Sequence, residues 1–300
     1  MERLIEGNPM EETLIPYAPG PLPHDRKVLV LAPHPDDEIF GCGGAIALHL
    51  AAGAEVSVIL MTAGDAAGDA QVRLAESAGA AQSLGLAPPQ CWHIPDRHVR
   101  NSPELVRRIL DALAETGATL LYAPSLWENH PDHRGLAEAT LQAVRMHGQV
   151  AWMAYEVSAP LRPNLLLDIG PVLARKQAAM GCFPTQLALQ RYDRHLNALN
   201  TFRTYTLPPT VEAAEGYEYY PAGSLGEGGL TLIVQELRRL GALISPPAPP
   251  ANQRAAQEAV IHELQQALQE CTRQRDELLQ STSWRVTRPL RNLKRYLVPR

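Results

Sequence analysis

Residues 27–62 read KVLVLAPHPDDEIFGCGGAIALHLAAGAEVSVILMT, and the order of apolar and glycine-rich segments in this stretch decides the fold. The run KVLVLAP predicts a buried strand, AIALHLAAG predicts a helix, and EVSVILMT predicts a second strand. A strand, a helix and a strand in this order form a βαβ unit with parallel strands. The glycines of GCGG at 41–44 predict a tight turn that permits close packing of the helix.

The same alternation continues toward the C terminus. It predicts helices over residues 71–84, 102–115, 132–147 and 172–181, and strands over 91–94, 119–123, 150–157 and 164–169. Ser102 is a suitable N-cap, because Pro103 and Glu104 follow it in the first helical turn. Strands that alternate with helices indicate a Rossmann-like three-layer α/β domain, whose mostly parallel sheet is covered on both faces.

Composition narrows the class of protein. The 300 residues are 45% hydrophobic and 20% charged, with a formal net charge of -5, so nothing favours a nucleic-acid partner. The four cysteines form no CxxC pair, which argues against a thiolate zinc cluster and against a disulfide framework. Residues 1–20 lack the basic start and apolar run of a secretory signal. We therefore expect a cytoplasmic protein that acts on a small molecule.

Two acidic and histidine-rich segments carry the chemistry. The first, APHPDDE at 32–38, directly follows the first predicted strand and places four ionisable groups within five positions. Carboxylates this close repel each other, and a bound cation is the simplest compensation. Histidine combined with carboxylate suits Zn²⁺ or Fe²⁺ better than Mg²⁺ or Ca²⁺.

The second segment, WENHPDHRG at 127–135, follows the strand TLLYAP and opens a predicted helix. Strand ends on the same edge of a parallel sheet lie close together, so both segments are expected to meet there. In a helical HxxH, the two imidazoles lie about one turn apart and can face one point. Together the two segments predict a metal centre with an enzymatic role.

PHPDDE and HPDHR resemble the two signature motifs of the LmbE-like (PIG-L) zinc-dependent de-N-acetylase family. Similar segments are TAGD at 62–65, RLAESAGAAQSLGL at 73–86 and KQAAMGCFPTQ at 176–186, so the resemblance spans residues 27–205. The family's first motif usually reads AHPDDE, and Pro33 departs from it. Asp96 stands where the family often has an Asp-Gly pair, and Arg97 takes the place of that glycine.

The resemblance implies a role for each site residue. His34, Asp37 and His133 would ligate the metal, Asp36 would serve as general base, and His130 would assist the oxyanion or the leaving group. Arg73 and Asp96 would contact the substrate. Three protein ligands leave an open position for water on Zn²⁺, or alternatively on Fe²⁺.

We therefore expect a hydrolase that removes the acetyl group from an N-acetylated amino sugar or glycoconjugate in bacterial surface-glycan synthesis. One alternative is an amidase for another sugar-linked amide. Another is an adaptor whose C-terminal tail assembles a glycan-synthesis complex, although two complete ligand motifs favour an enzyme.

The predicted division of the chain has five parts. These are an N-terminal extension (1–26), the LmbE-like deacetylase domain (27–218), a short helical extension (219–244), a Pro-rich linker (245–253) and a helical tail (254–300). The tail's apolar spacing favours a helix and admits a short coiled coil, and residues 283–300 contain six basic residues and no acidic one. Such a tail suits self-association or docking on the inner face of an anionic membrane.

Overall fold

The computed structural model of the chain describes residues 15–225. A seven-stranded sheet forms the centre of this part, in the spatial order β3-β2-β1-β4-β5-β7-β6. Its strands are β1 (Lys27–Ala32), β2 (Glu55–Leu60), β3 (Gln90–Cys91), β4 (Leu120–Pro124), β5 (Ala151–Tyr155), β6 (Leu165–Asp168) and β7 (Ala214–Tyr220). The predicted tail, the linker and most of the helical extension lie outside the described residues.

Seven α-helices accompany the strands within residues 15–225. They are α1 (Asp37–Ala51), α2 (Ala70–Leu84), α3 (Pro103–Thr116), α4 (Pro131–His147), α5 (Leu173–Met180), α6 (Pro184–Leu189) and α7 (Tyr192–Phe202). None of these helices has both the length and the apolarity required to cross a bilayer. Four of the five helices predicted between residues 27 and 181 correspond to α2, α3, α4 and α5, with ends that differ by one or two residues, and the fifth, AIALHLAAG, belongs to α1.

The sheet is mostly parallel, as predicted. Strands β1 to β5 pair in parallel, whereas β7 runs antiparallel to both of its neighbours, β5 and β6. The sequence pattern did not predict β7, whose segment AEGYEYY has no apolar alternation, and the predicted strand at 91–94 is reduced to the short β3. Tertiary pairing between β5 and β6 is what makes residues 214–220 a strand.

Helix α3 follows its predicted signals closely. The hydroxyl of Ser102 accepts a hydrogen bond from the backbone N–H of Leu105, Pro103 occupies the first turn, and Gly117 ends the helix with a φ of 62°. Each of these features satisfies or avoids an unpaired backbone group at a helix end. The buried stripe of α3 includes Leu105 and Ile109, so local capping and packing agree.

Helix α1 contains the GCGG segment, and its glycines do permit close packing. The helix is kinked at Cys42, whose φ of -143° is not helical. A Cβ atom at Gly44 would lie 2.6 Å from Ile169, and one at Gly41 would lie 2.4 Å from Tyr155. The carboxylate of Glu215 accepts hydrogen bonds from the backbone N–H groups that follow the kink. The segment is therefore a capped kink within one helix rather than a turn.

His49 makes the stability of the fold pH-dependent. Its side chain is buried on α1, with Nε2 2.9 Å from the Tyr122 hydroxyl, and burial lowers its pKa from 6.5 to about 4. Below pH 6.5 the unfolded chain takes up a proton at His49, whereas the folded chain does so only near pH 4. The contribution of His49 to the free energy of unfolding is therefore complete above pH 6.5 and declines as the pH falls toward 4. The expected loss at pH 4 is about 3 kcal/mol.

Urea unfolding at pH 7 and pH 4.5 measures this effect. The His49→Gln variant should show a smaller loss of stability between the two pH values than the wild type. Equal losses in both proteins would contradict the assignment.

Candidate active site

The site lies at the carboxyl ends of β1 and β4, which are neighbours in the sheet. From β1 the chain crosses to β2 on one side, and from β4 it crosses to β5 on the other. Connections that diverge in this way leave a crevice at the strand ends, where α/β folds bind ligands. The loop after β1 carries His34 and Asp36, and the loop after β4 leads to His130 and His133 on α4. The predicted meeting of the two motifs is confirmed.

One oxygen atom, Oδ2 of Asp37, lies at the centre of the cluster. It is 3.2 Å from Nδ1 of His34 and 3.2 Å from Nε2 of His133, and it accepts a hydrogen bond from the His34 backbone N–H. All three side chains are buried or nearly so. The three residues that the sequence assigned to a metal are thus brought together by the fold.

The outer nitrogens of the two imidazoles face other carboxylates. Nε2 of His34 lies 3.2 Å from Asp132 Oδ2 and 3.3 Å from Asp96 Oδ1. Nδ1 of His133 lies 3.1 Å from Glu128 Oε2. A carboxylate only accepts hydrogen bonds, so each outer nitrogen carries a proton. In the neutral imidazoles, the inner nitrogens then present lone pairs to Asp37.

Three electron-rich atoms therefore converge on one point, and this arrangement requires positive charge at its centre, supplied by protons or by a metal ion. Burial alone would lower the pKa of His133, but the Asp37 and Glu128 carboxylates raise it to about 9. Burial alone would raise the pKa of Asp37, whereas the two imidazoles lower it far below its usual range. The donor set of two imidazole nitrogens and one carboxylate fits a Zn²⁺-type ion, which would take the place of the protons.

Two trios that do not include Asp37 bring their ligand atoms within 4.8 Å of one another among the described residues: His34, His130 and His133, and His34, Asp96 and Asp132. The first trio faces the same cavity as Asp37 and shares two of its histidines. The second is engaged otherwise, because the Asp132 carboxylate already accepts hydrogen bonds from the backbone N–H groups of Arg97 and Val99. Asp96 and Asp132 therefore both contact the outer nitrogen of His34.

The orienting carboxylates are themselves held by the backbone. The Glu128 side chain is 1% exposed and accepts hydrogen bonds from the backbone N–H groups of Val157 and Ser158 and from the Ser158 hydroxyl. Sequence reasoning missed the roles of Glu128 and Asp132, although both lie within the motif at 127–135. The rule that a ligating histidine donates its second N–H to a carboxylate could have pointed to them.

Asp36 has an unusual backbone and a buried side chain. Its φ is 139°, in a region that favours glycine, and its backbone N–H donates to Glu38 Oε2 at 2.9 Å. Burial and then the charge of Asp37 raise the pKa of Asp36 well above its usual range. Strain of this kind persists where the surrounding structure fixes it, and it concentrates at functional sites.

Arg73 holds the Asp36 side chain in place. Its guanidinium donates to Asp36 Oδ2 at 3.0 Å and to the backbone carbonyl groups of Pro35 and Gly64, each at 2.9 Å. Arg73 is only 3% exposed, yet it borders the cavity. Its predicted contact with the substrate stays a prediction, because the hydrogen bonds in this structure are made to the protein. Asp96 is similarly engaged, with Oδ2 accepting from the Ala66 backbone N–H.

His130 is the N-cap of α4. Its Nδ1 accepts a hydrogen bond from the Asp132 backbone N–H at 3.3 Å, so in the neutral ring Nε2 carries the proton. Its ring centroid lies 4.8 Å from that of His34 and 5.2 Å from that of His133. Burial and then the two neighbouring imidazoles lower the pKa of His130. At neutral pH the residue is a hydrogen-bond donor rather than an acid.

These groups surround a cavity of about 230 Å³. The cluster of His34, Asp37 and His133 forms one side, and Phe40 and Tyr192 supply an aromatic wall. Polar side chains on the remaining wall include Asn129, Ser158 and Gln186. The cavity can accept a small polar molecule that has one apolar face.

The fold is thus a Rossmann-like α/β domain with a histidine and carboxylate cluster at the switch point of its sheet. Residues 29–144 match the family described as PIG-L: GlcNAc-PI de-N-acetylase. The match includes both motifs, so the resemblance to the LmbE-like (PIG-L) family that they predicted is confirmed over these residues.

Two relatives of the chain are deacetylases. The chain is 27% identical over 157 residues to a diacetylchitobiose deacetylase of Thermococcus kodakarensis, a match covering 48% of this chain and 59% of that protein. It is also 27% identical over 226 residues to a 1D-myo-inositol 2-acetamido-2-deoxy-alpha-D-glucopyranoside deacetylase of Nocardia farcinica, covering 63% and 74% of the two chains. The first match thus spans less than two thirds of that relative's length.

Solved structures confirm the fold. The N,N'-diacetylchitobiose deacetylase from Pyrococcus horikoshii superposes with a TM-score of 0.61, covering 68% of this chain and 87% of that one. The sequence identity is 22%, so this likeness is evidence for the architecture alone.

Proposed function

We propose that this chain is a metal-dependent deacetylase that hydrolyses the amide of an N-acetylated amino sugar. The observation that carries the proposal is the convergence of His34 Nδ1, His133 Nε2 and Asp37 Oδ2 beside the buried carboxyl of Asp36. Metal-assisted hydrolysis needs protein ligands that hold the metal and a general base beside them, and these four residues can supply both.

His34, Asp37 and His133 would hold the ion. When bound, a divalent metal supplies a Lewis acid that polarises the amide carbonyl and makes water more acidic. Zn²⁺ suits this mixed set of ligands, and Fe²⁺ is the alternative. The metal identity remains part of the proposal.

Asp36 accepts the proton as water attacks the carbonyl carbon. Its raised pKa, caused first by burial and then by Asp37, moves the carboxyl toward the neutral range in which a base is most effective. Arg73 fixes one of its oxygens, so the carboxylate keeps a defined position. The same carboxyl, once protonated, can return that proton to the departing amine, which balances the cleavage of the C–N bond.

His130 stabilises the charge that develops on the amide oxygen. Its Nε2–H is the free donor of the ring, because Nδ1 is occupied by the Asp132 backbone N–H. One donor of this kind is typically worth about 3–4 kcal/mol in the transition state. The lowered pKa of His130 favours this role over delivery of a proton to the amine.

The relatives favour an N-acetylated amino sugar as substrate. One is a deacetylase of diacetylchitobiose, and the other acts on a 2-acetamido-glucopyranoside of inositol. The aromatic wall of Phe40 and Tyr192 beside polar groups suits a pyranose ring, whose faces are partly apolar. A place in bacterial surface-glycan synthesis, membrane docking and self-association through the tail all stay predictions, as does the cytoplasmic location.

Acetate release from purified, zinc-reconstituted protein tests the proposal. The panel would contain N-acetylglucosamine, N,N'-diacetylchitobiose, an N-acetylglucosaminyl inositol and the propionamide of glucosamine. Hydrolysis of an acetamide that is abolished by a chelator and restored by metal is the expected result. Preference for the longer amide would favour the broader amidase, and the absence of hydrolysis in metal-loaded, folded protein would favour the adaptor.

A further inference from the structure

Arg97 occupies a backbone position that suits glycine. Residues 95–98 form a β-turn in which the His98 N–H donates to the Pro95 carbonyl at 3.0 Å. Arg97 is the third residue of this turn and has a φ of 64°. A positive φ at this position usually selects glycine, because a Cβ atom is disfavoured there. The turn itself gives no reason for an arginine.

The turn is anchored to the active site. The Arg97 backbone N–H donates to Asp132 Oδ2 at 2.6 Å, and the same oxygen lies 3.2 Å from His34 Nε2. Arg97 is an exposed residue of the catalytic cavity's lining. A guanidinium is therefore available beside the reacting groups.

Other formal charges lining the cavity already have partners. Asp36 pairs with Arg73, Asp37 faces two imidazoles, and Asp96 accepts hydrogen bonds from His34 and Ala66. Within residues 15–225, the guanidinium of Arg97 makes no hydrogen bond or ion pair. The guanidinium of Arg97 therefore makes no contact that stabilises the fold, and it is free to bind a ligand.

We propose that Arg97 binds an anionic oxygen group, a phosphate ester or a carboxylate, on the sugar whose acetamide is hydrolysed. This inference rests on the proposed function, and it narrows the substrate to acidic N-acetyl amino sugars. A guanidinium binds such groups through two parallel N–H donors, so it selects for them as well as attracting them.

Residues of the same loop also line a second cavity of about 350 Å³, to which Arg100, Arg108 and Glu104 contribute charged side chains. Arg100 pairs with Asp132 at 3.4 Å, and Arg108 lies over the Trp92 ring at 4.3 Å, which fixes its position. Positive charge beside a substrate cavity raises the local concentration of an anionic substrate.

The test compares kcat/KM for N-acetylglucosamine, N-acetylglucosamine 1-phosphate and N-acetylmuramic acid, which carry no anion, a phosphate and a carboxylate. Wild-type protein should prefer at least one acidic substrate by about 10-fold or more, the effect of one charge-assisted contact. In Arg97→Asn the ratio of kcat/KM for the acidic substrate to kcat/KM for the neutral one should fall toward unity, because asparagine accepts a positive φ and removes the charge. Arg97→Lys should restore part of it.

Arg107→Gln is the matched control, because Arg107 is exposed on α3 and lines neither cavity. The preference of Arg107→Gln for acidic over neutral substrates should equal that of the wild type. Hydrolysis of neutral and acidic sugars at equal efficiency, or a preference that survives in Arg97→Asn, would overturn the inference while leaving the deacetylase intact.

Calorimetry of the products separates the two proposals. Glucosamine 1-phosphate should bind the metal-loaded wild type more tightly than glucosamine, and the difference should vanish in Arg97→Asn. If this binding difference appears without any hydrolysis, the anion site stands and the proposed reaction falls. If the two products bind wild type equally, the anion site falls.

Discussion

Replacing Asp36 with asparagine is expected to lower kcat by about 10²- to 10⁴-fold, the range typical of a lost general base, while the protein keeps its metal. Asparagine retains the shape of the side chain but cannot accept the proton from water. The metal should stay because the ligand atoms belong to His34, Asp37 and His133, which the substitution does not touch. Turnover and metal content, measured on the same preparation, separate chemistry from binding.

The control must account for Arg73, which loses the charge of its buried partner in this variant. Thermal unfolding of Asp36→Asn would show whether the fold survives, and Asp111→Asn supplies a carboxylate change on the exposed side of α3. Near-wild-type turnover in Asp36→Asn would remove Asp36 from the role of base. Glu38 would then be the next carboxyl to examine, although it is 1% exposed and bonded to the Ser77 hydroxyl and the Asp36 backbone.

The His133→Ala protein is expected to purify largely without metal and to show no measurable turnover. His133 supplies one of two imidazole nitrogens that face Asp37 Oδ2, and two remaining ligands hold an ion far less tightly than three. Elemental analysis before and after reconstitution with zinc gives the stoichiometry. The wild type should retain about one ion per chain under the same conditions.

A histidine outside the site provides the comparison. His195 is exposed on α7 and does not line the cavity, so His195→Ala should keep its metal and its activity. Equal metal content in His133→Ala and His195→Ala would show that the ion is bound elsewhere.

The sequence was sufficient for the parts of this molecule that depend on local patterns. Alternating apolar and glycine-rich segments predicted the βαβ order, and the signals around Ser102 predicted the start of α3. Knowing that strand ends share one edge of the sheet was enough to bring the motifs at 32–38 and 127–135 together. These features follow from short-range spacing, which a single sequence displays directly.

Features that depend on distant contacts were not predicted. Strand β7 forms because it pairs with both β5 and β6, whereas the segment AEGYEYY itself carries no strand periodicity. The partners of Glu128 lie about 30 residues away on the loop after β5, and Arg73 reaches Asp36 across 37 positions. Spacing gave no sign that Arg73 is a buried support for Asp36, and the family resemblance implied a contact with the substrate instead.

Anomalous scattering at the zinc edge, from crystals of the reconstituted protein, locates the ion. We expect a single peak bounded by His34 Nδ1, Asp37 Oδ2 and His133 Nε2, at roughly 2.0–2.2 Å from each. A peak beside His34 Nε2, Asp96 and Asp132, or no peak in the cavity of a zinc-loaded and active protein, would contradict it.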